Sequence, residues 1–413
     1  MPHIFCYFTN ALYMNKIISF IMSLVTVILS QNNLPEPPIT EKDNGYNTVF
    51  TYTVDDGEIT VTGVKDVGVS SINIPNTIDG LPVTAVADGA FKNCKKLTTA
   101  EISENIQSIG YGVFNGCSSL STLTIPFVGA NCCSETGKIC YPFGYIFGKE
   151  KYNDSVMVTQ YYKYDTSNSV KSSDYYLPLS LKQVEIGGAT EIPYSAFYNC
   201  HSLKKIILGN KITEIGEFAF SGCVSEIVWN EPTIQTIGKN SFSDYKGSSL
   251  TIPDSVKTIE KLGFCDCVYL TELTVPENVT YVDIFAFRGC SGLKSITIEA
   301  QIEKLGVNTF YFCTRLQNVI FPKSLKEICS GAFCGCKALE QITIPGSVRT
   351  IGINAFENCK NLKSIVFEDP VGWRYYNTTD SGRILGFDEC SNPKLMASFI
   401  SDKYVNYIWE KRY

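Results

Sequence analysis

A repeat solenoid is the fold class that the sequence predicts, and three observations predict it. A Phe-x-x-Cys signature recurs at Phe91/Cys94, Phe114/Cys117, Phe197/Cys200, Phe220/Cys223, Phe264/Cys267, Phe287/Cys290, Phe310/Cys313, Phe333/Cys336 and Phe356/Cys359. The step between cysteines is 23 from 94 to 117 and from 200 to 223, and again four times running from 267 to 359. Each signature is preceded by the same strand-like run, as in Leu339 to Lys360, LEQITIPGSVRTIGINAFENCK. A fixed period of this size means one small unit that cannot bury its own apolar face and stacks on its neighbours. A further unit keeps Phe242 and carries Tyr245 in place of the cysteine.

Within one unit the elements follow from the pattern. Leu339, Ile342 and Ile344 set a short strand, which Pro345 ends because proline has no amide to donate. Val348 to Ile351 reads as a second short extended piece, and Gly352 permits a corner. Ala355, Phe356 and Cys359 stand at near-helical spacing, which predicts a single α or 3₁₀ turn. At a strand spacing of roughly 4.8 Å, ten such units make a rod on the order of 50 Å long.

The chain has 413 residues, 44% of them hydrophobic, and a net charge of −6 with no basic stripe. That composition excludes disorder, and the charge argues against nucleic acid as a partner. Residues 1–30 read as a signal peptide, with Lys16 ahead of the apolar run Ile17 to Leu29 and with Met14 as an alternative start. The run is short for a membrane span, and no transmembrane anchor is expected beyond it. A linker over 31–45 follows. Residues 46–93 form an N-terminal cap and first repeat, because Asp55-Asp56-Gly57 between β-branched runs signals a hairpin that covers the first turn's edge. Repeats occupy 94–126 and 181–367, an insertion 127–180, and a C-terminal cap 368–413.

The consensus Ile-Pro-x-x-Val-x-x-Ile-Gly-x-x-Ala-Phe-x-x-Cys-x-x-Leu resembles the BspA-like class of leucine-rich repeats, found in surface proteins of host-associated bacteria and protists. The likeness extends over roughly 46–413. It includes the element Phe143-Gly144-Tyr145-Ile146-Phe147-Gly148 and the closing segment from Val371-Gly372-Trp373 to Tyr407-Ile408-Trp409. The resemblance implies a right-handed leucine-rich-repeat solenoid with one concave-face strand per repeat, and a role in adhesion to host proteins or other cells.

Between Phe127 and Ser180 the period is suspended, since Cys117 and Cys200 stand 83 positions apart. This stretch holds Tyr141, Tyr145, Tyr152, Tyr161, Tyr162, Tyr164, Tyr175 and Tyr176 among Ser, Asn and Asp. Tyrosine beside small polar residues is the composition of adaptable binding surfaces. The competing reading is a structural brace packed on the solenoid flank. Tyr145, Tyr152, Tyr161, Tyr162 and Tyr164, with the nearby Lys182, Lys204 and Lys205, are therefore the candidate partner-binding residues. The strand positions that face outward along the array are broad, polar and Thr-rich, for which β propensity alone is a sufficient account.

Cysteine numbers 17, nine at the repeat position, where a buried small residue once per turn makes a packing ladder. Cys133 (or its neighbour Cys132) with Cys140 is the candidate disulfide. Cys265-x-Cys267 and Cys334-x-Cys336 lack zinc spacing, so neither metal nor cofactor is expected. Asn153, Asn278 and Asn377 head glycosylation sequons. His201 and scattered strand carboxylates assemble no catalytic set. The expected function is non-catalytic and adhesin-like, with secretion or surface exposure and a protein or glycan partner. A structural or decoy repeat protein is the alternative, and a carbohydrate-active enzyme the remotest reading.

Overall fold

The structure, a computed structural model, describes residues 49–131, 139–163, 169–377 and 383–411. The expected signal peptide and linker lie outside these residues. What is described is a β-solenoid with little helix.

Most turns contribute a four-residue strand to one face and a two-residue strand to a second. On the first face Ser71–Ile74, Thr99–Ile102, Thr122–Ile125, Gln183–Ile186, Lys205–Leu208 and Glu226–Trp229 pair in parallel, in that order. After a break at the turn of Leu250 to Ile252 the face resumes with Glu272–Val275, Ser295–Ile298 and Asn318–Ile320. At the break the Trp229 indole N–H reaches across to the Thr251 carbonyl at 2.8 Å. Alternate residues of most strands in the array are buried, as in Gln341–Ile344, where Ile342 and Ile344 point inward. That is the two-residue period expected of a sheet with one dry face.

The segment between the second strand and the cysteine turns, as the spacing of Ala, Phe and Cys predicts, but it is not a helix. In the turn of Phe287 the hydrogen bonds alternate in direction. Arg288 and Cys290 donate backward to Phe285 and Phe287 of their own turn, whereas Phe285, Phe287 and Gly289 donate forward to Val307, Thr309 and Tyr311 of the next. This alternation requires two left-handed residues four apart. They are Gly89 and Asn93, Asn240 and Asp244, Phe285 and Gly289, Asn354 and Asn358, and equivalents in the other turns. Gly, Asn and Asp tolerate that conformation, so most of these positions carry them, while Phe218, Leu262, Phe285 and Phe312 adopt it against their own preference.

Two ladders run through the core. Phenylalanine rings stack turn on turn, with centroids 5.6 Å apart for Phe197 and Phe220, 5.5 Å for Phe264 and Phe287, and 5.2 Å for Phe333 and Phe356. Beside them seven of the nine repeat cysteines donate their S–H to the phenylalanine carbonyl of the turn before, as Cys223 to Phe197 at 2.9 Å and Cys313 to Phe287 at 3.1 Å, whereas the Cys200 sulfur accepts from the Gln160 amide. Cysteine is thus chosen over alanine for a weak donor as well as for its size. Where Tyr245 replaces it, the phenol hydroxyl donates to the Ser225 carbonyl at 2.6 Å.

Both ends of the described array are closed by antiparallel pairing. Phe50–Asp55 and Glu58–Val64 form the hairpin that Asp-Gly predicts, turning through left-handed Asp56 and Gly57, and the second strand joins Leu81–Val86. Phe50 packs on Phe91 at 6.4 Å, so the ladder starts in the hairpin. At the other end Ile408–Lys411 lies between Thr350–Ile351 and Trp373–Tyr376, and the short helix Pro393–Ser398, capped by the Asn392 side chain, packs on the strand Ser364–Phe367.

Gly289 tests the alternating turn. A Cβ there would stand 1.9 Å from Asp266 Oδ1 on a backbone held at φ +73°. Gly289→Ala is expected to lose about 1–2 kcal/mol in urea denaturation. Gly346→Ala, which meets its nearest neighbour, Asp369 Cβ, at 3.5 Å, is expected to be within about 0.5 kcal/mol of the parent.

Candidate functional site

The insertion does not interrupt the solenoid. Strand Thr122–Ile125 pairs directly with Gln183–Ile186, so the strand face passes the inserted residues in register. The phenylalanine ladder passes them too, because the 3₁₀ turn Phe143–Phe147 supplies the missing rung. Phe147 lies 6.1 Å from Phe114, and Phe143 lies 5.0 Å from Phe197. Backbone bonds confirm the substitution: Gly112 and Phe114 donate to Tyr145 and Ile146, and Phe143 donates to Ala196. Residues around 143–148 are therefore a repeat turn in disguise.

What projects is an antiparallel hairpin of two arms, Ser155–Lys163 and Val170–Pro178, paired over nine residues. Its sequence alternates, so one face is buried and the other free. Val158, Tyr175 and Leu177 face the solenoid, and Gln160 is completely buried among them. The Gln160 amide accepts from the Gly144 N–H at 2.7 Å and donates to the carbonyls of Ala196 at 3.2 Å and Tyr198 at 3.1 Å. One side chain thereby ties the hairpin to the substituted turn and to the following repeat. The outer face carries Met157 (53% exposed), Tyr161 (37%) and Val170 (48%), with Leu179 (47%) just past its base.

The predicted tyrosines fall into separate environments. Tyr145 and Tyr162 join Tyr141 in a half-buried cluster, with centroids 4.3 Å (Tyr141 to Tyr145) and 5.5 Å (Tyr141 to Tyr162) apart. Burial pushes the Tyr145 hydroxyl up to about 12. Tyr152 is also half-buried, and desolvation raises its hydroxyl. Tyr161 stands on the outer face against Tyr198 at 5.1 Å, and Tyr198 in turn meets Phe218 at 6.5 Å. Lys163 lies 4.9 Å over the Tyr194 ring and 3.9 Å from Glu217. Tyr164 lies outside the described residues.

Lys182, Lys204 and Lys205 stand together at the entry of adjacent strands, where Lys204 and Lys205 both donate backbone N–H groups to the Lys182 carbonyl. The Lys182 ammonium turns back to the Leu179 carbonyl at 2.5 Å. The lysines therefore border the base of the hairpin, whereas Tyr161 packs over the turns of Tyr194 to Phe218. Of the candidate disulfide, Cys133 lies outside the described residues and Cys140 is half-buried. Asn153 is exposed beside left-handed Asp154, the Asn278 amide donates to the Asp254 carbonyl at 3.0 Å, and Asn377 is half-buried.

Gln160, Met157 and Tyr198 escaped the sequence reading. The signal for the first two was present as the alternation in SVMVTQYYK, which marks a strand with two unlike faces. Among the described residues no group of three metal-ligating side chains occurs, and no helix is long and apolar enough to cross a membrane.

A stacked array of short strands with a phenylalanine and cysteine rung per turn defines a leucine-rich-repeat protein. The profile of the BspA type leucine rich repeat region matches in six copies over residues 65–141, 190–314 and 257–372, and the chain belongs to that family, which is generally non-catalytic. Among solved structures it is similar to a leucine-rich repeat protein from Bacteroides ovatus ATCC 8483, with 21% identity over 77% of this chain and 92% of that one and a TM-score of 0.30. It is also similar to a leucine rich cell surface protein from Faecalibacterium prausnitzii A2-165, with 21% identity, coverage of 81% and 96%, and a TM-score of 0.32. No curated protein matches the chain.

Two measurements check this arrangement. Gln160→Leu leaves the Gly144 N–H without its acceptor and is expected to cost about 1–3 kcal/mol, with faster amide exchange across both hairpin arms. Burial pushes the thiols of Cys117, Cys223 and Cys359 up to about 12. The folded state thus keeps these protons above the unfolded value near 8.5, so stability is full below that value and declines as pH rises toward 12. Alkaline denaturation is expected in that window, and the ladder thiols should ignore Ellman's reagent at pH 8 until urea unfolds the chain.

Proposed function

We propose that this chain is a non-catalytic, adhesin-like binding protein, secreted or held at the cell surface, that attaches to macromolecules of a host or of neighbouring cells. The observation that carries this reading is the inserted hairpin. It is anchored by a fully buried glutamine on one side and presents Met157, Tyr161 and Val170 to solvent on the other. Exposed apolar side chains gathered on one rigid face mark interaction sites, and an anchored strand pair loses little entropy on binding. Family membership supports the non-catalytic part of the reading. Lys182, Lys204 and Lys205 at the hairpin base, with Tyr161 on its first arm, make up the contact area, and Tyr145, Tyr152 and Tyr162 brace it from below. The partner is a protein or a glycan displayed on a cell or in its matrix.

Excision of the hairpin tests the proposal without breaking a ladder. Leu179 donates to the Asp154 carbonyl at 2.8 Å, so the two ends already touch. A variant lacking 155–178, joined through one glycine, is expected to keep the β-sheet circular dichroism of the parent. Its binding to host cells should fall at least tenfold. Met157→Glu with Tyr161→Ser should reproduce the loss in the intact fold. Unchanged binding by both variants would falsify the assignment.

A further inference from the structure

The hairpin has an open edge. Among the described residues each arm pairs only with the other. The direction of that edge follows from one bond: Tyr176 on the second arm donates its N–H away from the first arm, to the Gly148 carbonyl at 3.1 Å. Backbone groups in an antiparallel pair alternate with period two, so Val170, Ser172 and Asp174 present their N–H and C=O groups to the same side as Tyr176. All three are exposed. Among the described residues the lane alongside the second arm is thus filled at one end, by the segment from Gly148, and vacant along the rest.

Vacant lanes of this kind are templates for another strand. The borders of the lane say what would suit it. Lys149 and Lys151 follow Gly148 at its filled end, both exposed, with Lys149 reaching over the Tyr175 ring at 5.8 Å. Glu150 between them is matched by Lys92 at 2.6 Å. Asp174, the carboxylate on the open stretch, accepts from the Thr159 hydroxyl at 2.6 Å. On the outer face the exposed Val170 would flank a side chain of an incoming strand.

We infer that the second arm, Val170 to Asp174, accepts an extended, acidic peptide segment of a partner protein as a third strand of the hairpin. This rests on the hairpin being the contact region and specifies how it makes contact. Main-chain bonds to Val170, Ser172 and Asp174 supply affinity, while Lys149 and Lys151 select acidic residues and Val170 favours an apolar one beside it.

The probe is a fluorescein-labelled hexapeptide alternating glutamate and valine, followed by anisotropy on the full chain. The result expected is saturable binding, slower amide exchange over 170–176, and at least tenfold weaker binding of a lysine and valine hexapeptide. Ser172→Pro removes an outward-facing N–H that the hairpin itself does not use, and should weaken the acidic peptide at least tenfold while hairpin amide exchange at 155–163 is unchanged, whereas Ser172→Ala should not weaken it. Methylating every amide of the peptide, which blocks both of its edges, should abolish binding without any change to the protein. Equal binding by the methylated or the basic peptide, or none by the acidic one, overturns strand addition. If the hairpin deletion still abolishes cell attachment in that event, the hairpin remains the contact region and only the mode of contact is wrong.

Discussion

Every turn of this chain is chemically incomplete until the next turn arrives. In the turn of Phe287 half of the amides donate backward within the turn and half forward to carbonyls that belong to its successor. Buried backbone groups left without partners cost too much to leave so, which makes stacking obligatory rather than merely favourable. The ring and thiol ladders follow from this constraint. Once turns are forced into register, a side chain at a fixed position meets its own counterpart about one strand spacing away, and a flat ring or a small S–H group fits that repetition.

The same constraint explains the two ends and the insertion. A terminal turn has amides with no successor, so the array is finished by strands that run the other way, Phe50–Asp55 with its partner at one end and Ile408–Lys411 at the other. The insertion obeys the rule by supplying a full rung from Phe143 to Phe147 before it departs as a hairpin. Sequence length is unrestricted at such a point so long as the rung is present.

Much of the architecture was legible because the period is explicit: Leu339, Ile342 and Ile344 announce the strand, and Asp-Gly after Asp55 announces the first hairpin. The turn around Ala355 and Phe356 was harder, since near-helical spacing of buried residues also arises when two left-handed residues, Asn354 and Asn358, fold the chain sharply. Recurrent Gly, Asn and Asp four positions apart carried that information. In the insertion the single buried Gln160 could not be told from any other polar residue. Its partners, Gly144, Ala196 and Tyr198, are distant in sequence and come together only after the solenoid has closed around the hairpin base.

The cysteine ladder has a consequence for how the molecule comes into being. Cys267, Cys290, Cys313, Cys336 and Cys359 are free thiols in the folded protein, each sealed from solvent by the turns on either side. Before the turns close, the same groups are a row of reactive sulfurs on an open chain, any two of which an oxidant can join wrongly. In an oxidising compartment assembly is then a race, in which each turn that docks removes a thiol from the reach of oxidants. Speed of coiling, rather than final stability, would set the yield of correctly formed protein.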